Sequence, residues 1–174
     1  MGTAQSPYPV KLVASLLTGR LAALEGAKEA LVQHAGPIDW ESELLQFDHT
    51  DYYTAEMGTG LVRQIVTFAQ LVTPAALPAI KVQTNDIERA LAEEGKRVVN
   101  IDPGYLSLAK LVLASTKDHA HRVYLDQSIY AEVTLSYQNG RFRPWAWTYP
   151  DYASDRYCSL FGEIRQRYKR QVAG

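Results

Sequence analysis

Apolar positions recur at two different periods along the chain, and each change of period predicts a change of element. Residues 9–19 form an apolar run that predicts a buried first strand. Residues 20–37 then carry apolar side chains at helical spacing, which predicts an amphipathic helix. These side chains are Leu21, Leu24, Ala27, Ala30 and Leu31. The helix is predicted to end at Gly36 and Pro37, because glycine commonly closes a helix and proline cannot continue it.

The middle of the chain predicts two more strands and a long helix. Residues 40–48 are a candidate second strand, and the alternating run 60–72 is a strong third strand. Thr73 and Pro74 have the residue types of an N-cap and a first helical position. The helix that they open is expected to run to about Glu94.

The following segment predicts two short strands. Residues 98–101 are expected to form a strand that turns at Asp102-Pro103-Gly104, a sequence typical of tight turns. Residues 108–116 fit either a strand or a short helix, and the short run of apolar residues favours the strand.

The last third of the chain has the clearest β pattern. Residues 122–127 and 129–145 alternate, and Asn139-Gly140 favours a two-residue hairpin turn. A basic helix is predicted over about residues 154–172, with Asp151 as its expected cap.

This order of elements predicts an α+β fold in one domain, residues 1–174. Strand, helix, strand, strand, helix, strand is the ferredoxin-like βαββαβ arrangement, here extended by a hairpin and a terminal helix. We expect a single antiparallel or mixed sheet with the helices packed mainly on one face.

Composition narrows the classes of function. The chain has 174 residues, of which 47% are apolar and 21% charged, and its net charge of −1 disfavours nucleic acid as a partner. No apolar run is long enough to span a membrane, and no secretory signal opens the chain, so no membrane partner is expected. The single Cys158 fits a buried thiol in a reducing, cytoplasmic setting. Eleven tyrosines suit cleft walls, interfaces or strand faces at the edge of water.

The first candidate cluster lies in the sequence FDHTDYYTAEMG. Its acids and histidine are Asp48, His49, Asp51 and Glu56. Carboxylates in this density can carry acid/base chemistry or ligate a metal. Turn caps with a surface histidine explain the same residues, so metal binding and metal identity stay open.

The second candidate cluster lies in ASTKDHAHR, residues 114–122. Lys117 and Arg122 follow an apolar run, where cations suit a phosphate or a carboxylate. His119 and His121 would share one side of an extended chain and allow metal binding. A solvated hairpin loop is the alternative interpretation.

Further polar residues lie on predicted strands and helices. Glu132 and Tyr130 belong to a strand that faces either a cleft or solvent. Asn100 and Asp102 end another strand. Lys81, Asn85 and Glu88 share one helical face, which fits either a site or a solvated surface.

Several blocks resemble a bacterial and archaeal family known as domain of unknown function (DUF) 4416. The blocks are FDHTDYYTAEMG, KVQTNDIE, VVNIDPGYL, KLVLASTKDHAHRVYL, IYAEVTL and WTYPDY. The resemblance spans nearly the whole chain but implies no established activity and no cofactor. Some members carry the label "GTP-binding protein", yet this sequence lacks a G-x-x-x-x-G-K-[ST] phosphate loop.

Together these patterns predict a polar, tyrosine-lined cleft for a small anionic ligand. The expected ligand is a phosphorylated or carboxylated compound, and nucleotides belong to this class. Asp51, Glu56 and Glu132 are the expected acid/base groups or metal ligands if the domain is an enzyme. The expected ligand contacts are Tyr52, Tyr53, Asn85, Asp102, Lys117, Arg122 and Tyr130. The alternative is a non-catalytic interaction domain that uses the tyrosines with Trp145 and Trp147. The reaction and the oligomeric state stay open.

Overall fold

A computed structural model describes residues 1–48 and 52–173. The strands in this part of the chain are β1 (Val10–Thr18), β2 (Ile38–Glu41), β3 (Leu45–Gln46), β4 (Val62–Val72), β5 (Asn100–Leu106), β6 (Lys110–Ser115), β7 (Val123–Asp126), β8 (Ile129–Gln138) and β9 (Arg141–Pro144). The helices are α1 (Leu21–Ala35), α2 (Thr54–Met57), α3 (Leu77–Leu91), α4 (Pro150–Ala153) and α5 (Asp155–Ala173). The described helices include none that is long and apolar enough to cross a membrane.

The strands form a single antiparallel sheet, which confirms the predicted α+β class. Its order is β2-β4-β1-β5-β6-β8-β7, with β3 paired to β4 and β9 paired to β8. Strand β1 is an inner strand, where Ala14 is flanked by Val66 of β4 and Pro103 of β5. With nine strands, the sheet is larger than a ferredoxin-like core.

Helices cover both faces of the sheet, so the prediction of helices mainly on one face is wrong. Successive residues of a strand point to opposite faces. Accordingly, Leu12 of β1 packs in a core with α1 and α3, whereas its neighbour Val13 packs in a second core with α5. The sequence could not assign α5 to a face, because apolar residues such as Phe161 and Ile164 do not specify which face of the sheet they cover.

The predicted strand 40–48 is in fact two short strands, β2 and β3, separated at Ser42. The Ser42 Oγ accepts a hydrogen bond from the backbone N–H of Ile65 at 3.0 Å and donates to the Glu43 carbonyl at 2.7 Å. Serine competes with ladder pairing in this way because its short side chain reaches neighbouring backbone groups.

The predicted turn at Asp102-Pro103-Gly104 is also wrong, because all three residues remain within β5. Antiparallel pairing with β1 continues from Asn100 to Leu106. Gly104 serves close approach rather than reversal. A Cβ built on Gly104 would lie 2.3 Å from the Val112 carbonyl oxygen of β6.

Other local predictions are confirmed. Asn139 and Gly140 both have positive φ, 50° and 83°, as a tight hairpin turn requires. Residues 108–116 contain strand β6, and the terminal helix is α5. The long central helix begins as a single 3₁₀ turn at Pro74–Ala76 before α3.

Gly104→Ala is expected to destabilise the protein by about 1–3 kcal/mol, because the added methyl must push β5 away from the β6 backbone. Urea denaturation of wild type and variant measures the difference. Gly162→Ala in α5 is the matched control, since a methyl there meets no atom within 4 Å. A helical glycine-to-alanine change should stabilise by about 0.5–1 kcal/mol. Equal midpoints for Gly104→Ala and wild type would contradict the close approach.

Candidate functional site

A cavity of about 370 Å³ opens where β5 and β6 separate. The two strands pair only over Gly104–Leu106 with Leu111–Leu113. Beyond this ladder, Asn100 and Asp102 line one side of the opening, and Ala114 and Ser115 line the other. We call this space the fork cavity. Its other lining residues are Phe47, Tyr52, Tyr53, Arg63, Lys81, Asn85, Glu88, Arg97, Leu113, Thr116, Lys117, Arg122, Glu132, Tyr149, Pro150, Asp151 and Tyr152.

Side chains of α3 form hydrogen bonds with the backbone of β5 at a residue that β6 no longer pairs with. Lys81 Nζ donates to the Ile101 carbonyl at 2.8 Å, and the Ile101 N–H donates to Glu88 Oε1 at 2.5 Å. A buried backbone group without a partner is costly. Lys81 and Glu88 therefore take the place of a neighbouring strand at this residue.

Asp102 accepts two hydrogen bonds and stays half-open to solvent. Asn100 Nδ2 donates to Asp102 Oδ2 at 2.7 Å, and Lys81 Nζ lies 3.4 Å from Oδ1. The Asp102 side chain is 33% exposed, compared with 11% for Glu88 and 4% for both Glu132 and Asp151. Asp102 is therefore the most accessible carboxylate among the described lining residues.

Arg97 connects the fork cavity to α2. Its guanidinium donates to Asn100 Oδ1 at 2.7 Å and to Glu56 Oε2 at 2.9 Å, and Glu88 Oε2 lies 3.6 Å away. Burial raises the pKa of the Glu88 carboxyl above its ordinary value, although Lys81, the Ile101 N–H and Arg97 oppose this shift.

A buried ion pair forms the floor on the α5 side. Arg63 of β4 bonds to Asp151 of α4. The guanidinium carbon lies 4.7 Å from the centre of the Phe47 ring and 5.3 Å from that of Tyr152. Stacking of this kind suits arginine, whose planar group is weakly hydrated. Asp151 was expected to cap the terminal helix, but Ser154 accepts the Tyr157 N–H there instead, at 3.3 Å.

Glu132 is held firmly on the β8 wall. Its Oε2 accepts from Arg122 Nε at 3.0 Å and lies 2.9 Å from His121 Nε2. Arg122 also donates to Ser115 Oγ at 2.7 Å and to the Lys117 carbonyl at 3.1 Å. Arg122 is thus committed to the wall of the site.

Lys117 stands at the mouth of the cavity beside Tyr52. Its Nζ lies 3.4 Å from the Tyr52 hydroxyl and 4.6 Å from the centre of that ring. Within the part of the chain that the structure describes, no carboxylate pairs with Lys117. Deeper in the site, burial raises the pKa of the Tyr53 phenol, with Asp102 adding to the shift.

Seven of the ten predicted site residues line the fork cavity: Tyr52, Tyr53, Asn85, Asp102, Lys117, Arg122 and Glu132. Glu56 does not line the cavity, but it contacts the lining residue Arg97. Tyr130 does not line the cavity and packs edge-on against Tyr124, with ring centres 5.6 Å apart. Asp51 and His49 lie outside the described residues. The functional roles given to all ten residues stay predictions.

Sequence reasoning missed Arg63, Arg97 and Tyr152 as lining residues. Arg63 sits in an apolar strand, and the one available signal was a charged residue inside a buried run. No three His, Cys, Asp or Glu side chains gather in a way that could hold a metal ion within residues 1–48 and 52–173.

Comparison with known protein families identifies a match over most of the chain. The sequence model of a protein family, described as domain of unknown function (DUF4416), matches residues 8–168. Neither the curated proteins nor the solved structures contain a significant match to this chain.

Lys81→Met is expected to lower the free energy of unfolding by about 1–3 kcal/mol, because it leaves the buried Ile101 carbonyl without a donor. Methionine keeps the apolar stem, so packing changes little. Chemical denaturation measures the effect, with Lys96→Met as the control because Lys96 is exposed and does not line the cavity. The control should stay within about 0.5 kcal/mol of wild type. Equal losses in both variants would mean that the Ile101 contact contributes nothing.

Proposed function

The chain belongs to the DUF4416 family, and we propose that it binds a small anionic ligand, carboxylated or phosphorylated, in the fork cavity. Lys117 is the cation that anchors the ligand. The proposal rests on one observation, namely that every other Lys or Arg among the described lining residues already has a carboxylate partner.

The pairing can be followed residue by residue. Arg63 pairs with Asp151, and Lys81 pairs with Asp102. Arg97 pairs with Glu56 and Glu88, and Arg122 pairs with Glu132. Lys117 has only the Tyr52 hydroxyl and ring within reach among the described residues. A cation at a concave mouth without a compensating acid suits an incoming anion.

The surroundings of Lys117 support a built site rather than a solvated loop. Ser115 Oγ accepts the Lys117 N–H at 3.1 Å, and Arg122 donates to its carbonyl at 3.1 Å. These two bonds fix the backbone of Lys117, from which the side chain with the ammonium group extends. Preorganised contacts of this kind lower the entropic cost of binding.

Catalysis is a further part of the proposal. Asp102 is the carboxylate of the described lining set that best suits proton transfer, since it lies on a strand beside the cavity and is partly exposed. Glu132, the other lining carboxylate predicted for this role, is already held by Arg122, His121 and Thr134. Asp51 keeps its predicted role outside the described residues, and Glu56 would act through Arg97.

We also propose that the first part of the sheet has the ferredoxin-like topology. The spatial order of these strands is β2-β4-β1-β5, and along the chain α1 follows β1 and α3 follows β4. This arrangement is the one expected of a βαββαβ unit with antiparallel neighbours. A reducing, cytoplasmic setting belongs to the proposal too, since Cys158 is a free thiol.

Lys117→Gln is expected to weaken anion binding by roughly tenfold to a hundredfold, because a charged hydrogen bond contributes about 1.5–3 kcal/mol. A thermal-shift screen with inorganic phosphate, sugar phosphates and small carboxylates identifies the ligand class. A ligand at about 100 times its Kd should raise Tm by roughly 5–10 °C. Lys110→Gln, at the opposite and exposed end of β6, should bind like wild type. Unchanged affinity in Lys117→Gln would exclude the anchor role.

A protein-interaction surface is the second candidate function, and one feature favours it. Trp145 and Trp147 stack with ring centres 5.2 Å apart, and His121 stacks on Trp147 at 5.6 Å. The two tryptophans are 40% and 38% exposed. Exposed tryptophans are enriched at protein interfaces.

The two candidates predict opposite mutational results. For the interaction surface, a native partner should be lost in the Trp145→Ala/Trp147→Ala double variant and retained in Lys117→Gln. Co-purification of tagged variants from the native host, each checked for folding by circular dichroism, measures this. A partner retained by the tryptophan variant would count against the surface.

A further inference from the structure

We propose that the ligand of the fork cavity is a zwitterion of amino-acid size, with its carboxylate on Lys117 and its ammonium group on Asp102. This inference rests on the proposed function and narrows its ligand class. It requires one accessible positive group, one accessible negative group and a nearly neutral lining, and the site has all three.

The lining is almost balanced in charge. The described lining residues comprise five cations, Arg63, Lys81, Arg97, Lys117 and Arg122, and four carboxylates, Glu88, Asp102, Glu132 and Asp151. All of them except Lys117 are engaged with one another or with Glu56. A polyphosphate would bring several negative charges to a lining whose described residues offer one cation without a carboxylate partner. The balance therefore disfavours a nucleoside triphosphate.

Among the described lining carboxylates, Asp102 combines free acceptor sites with the greatest exposure. A carboxylate has about four acceptor sites. Asp102 uses one for Asn100 and one for a long 3.4 Å contact with Lys81, and a third of its side chain is exposed. Glu132, by contrast, contacts Arg122, His121 and Thr134 and is buried.

The two accessible groups lie on opposite prongs of the fork. Asp102 belongs to β5, whereas Lys117 follows β6. A ligand that forms an ion pair with both must carry opposite charges at its two ends, and it would bridge the strands where their own pairing stops. Asn85, which also lines the cavity, adds an amide that can donate to or accept from the same ligand.

The size of the cavity agrees with this ligand class. A volume of about 370 Å³ lies near the lower end of the range of about 300–1,000 Å³ that is usual for small-molecule sites. That space accommodates an amino acid together with several bridging waters, which commonly complete polar sites.

The first test uses wild-type protein and modified ligands. The α-amino acids are screened by thermal shift, and the best one is then measured by titration calorimetry. Its deaminated carboxylate and its methyl ester are measured beside it, together with inorganic triphosphate. We expect the amino acid to bind at least tenfold more tightly than either analogue, because each analogue leaves one of the two charged groups unpaired.

The second test uses Asp102→Asn, which keeps the size of the side chain. It should lose at least tenfold in affinity for the amino acid while binding the deaminated carboxylate as well as wild type or better. Lys117→Gln should lose both ligands. Should Asp102→Asn fail to fold, the ligand series on wild type decides the question alone.

These experiments distinguish a failure of this inference from a failure of the proposed function. Equal or tighter binding of the deaminated carboxylate, or of triphosphate, in a manner that depends on Lys117 would overturn the zwitterion and leave the anion site standing. Absence of binding by every carboxylate and phosphate tested would overturn both.

Discussion

The site depends on the backbone of one residue, Ile101, which lies on β5 where β6 has already turned away. Both of its polar groups are satisfied by the side chains of Lys81 and Glu88 from α3. A sheet that opens inside a protein must replace the lost ladder bonds, because orphaned backbone groups are costly. Here the replacement brings two charged side chains into the core, and these in turn require Asp102 and Arg97 as neighbours. The polar character of the cavity follows from the opening of the sheet.

Because the cavity arises from the opening of the sheet, the residues that build it differ from the residues that are available to bind a ligand. Lys81, Glu88 and Arg97 serve the backbone and one another, and Arg122 holds Glu132 and the loop of Lys117. Charge alone is therefore a poor guide to ligand contact in this site. The better guide is residual capacity: at Lys117 an ammonium that no carboxylate of the described residues pairs with, and at Asp102 a carboxylate with vacant acceptor sites.

The sequence predicted the elements well because most of them are encoded locally. The apolar runs of β1 and β4 and the Asn139-Gly140 turn require no distant partner. Asp102-Pro103-Gly104 was misread because its residue types satisfy a turn and a close strand contact equally well, and only the position of Val112 decides between them. The same limit applies to the site. Arg63 and Asp151 are 88 positions apart, and no periodicity connects them.

The distribution of hydrogen bonds also bears on whether the cavity is catalytic. Glu132 was predicted as an acid/base group, but Arg122, His121 and Thr134 already occupy most of its acceptor sites. A carboxylate held in this way is well suited to orienting its neighbours and poorly placed to take a proton from a substrate, since it would have to give up a partner first. Asp102 accepts two hydrogen bonds, one of them the long contact with Lys81, so about two of its acceptor sites are left for a substrate proton. If chemistry occurs in the fork cavity, the proton acceptor of the described residues is therefore the same carboxylate that we assign to the ligand's ammonium group, and binding and proton transfer would share a single residue.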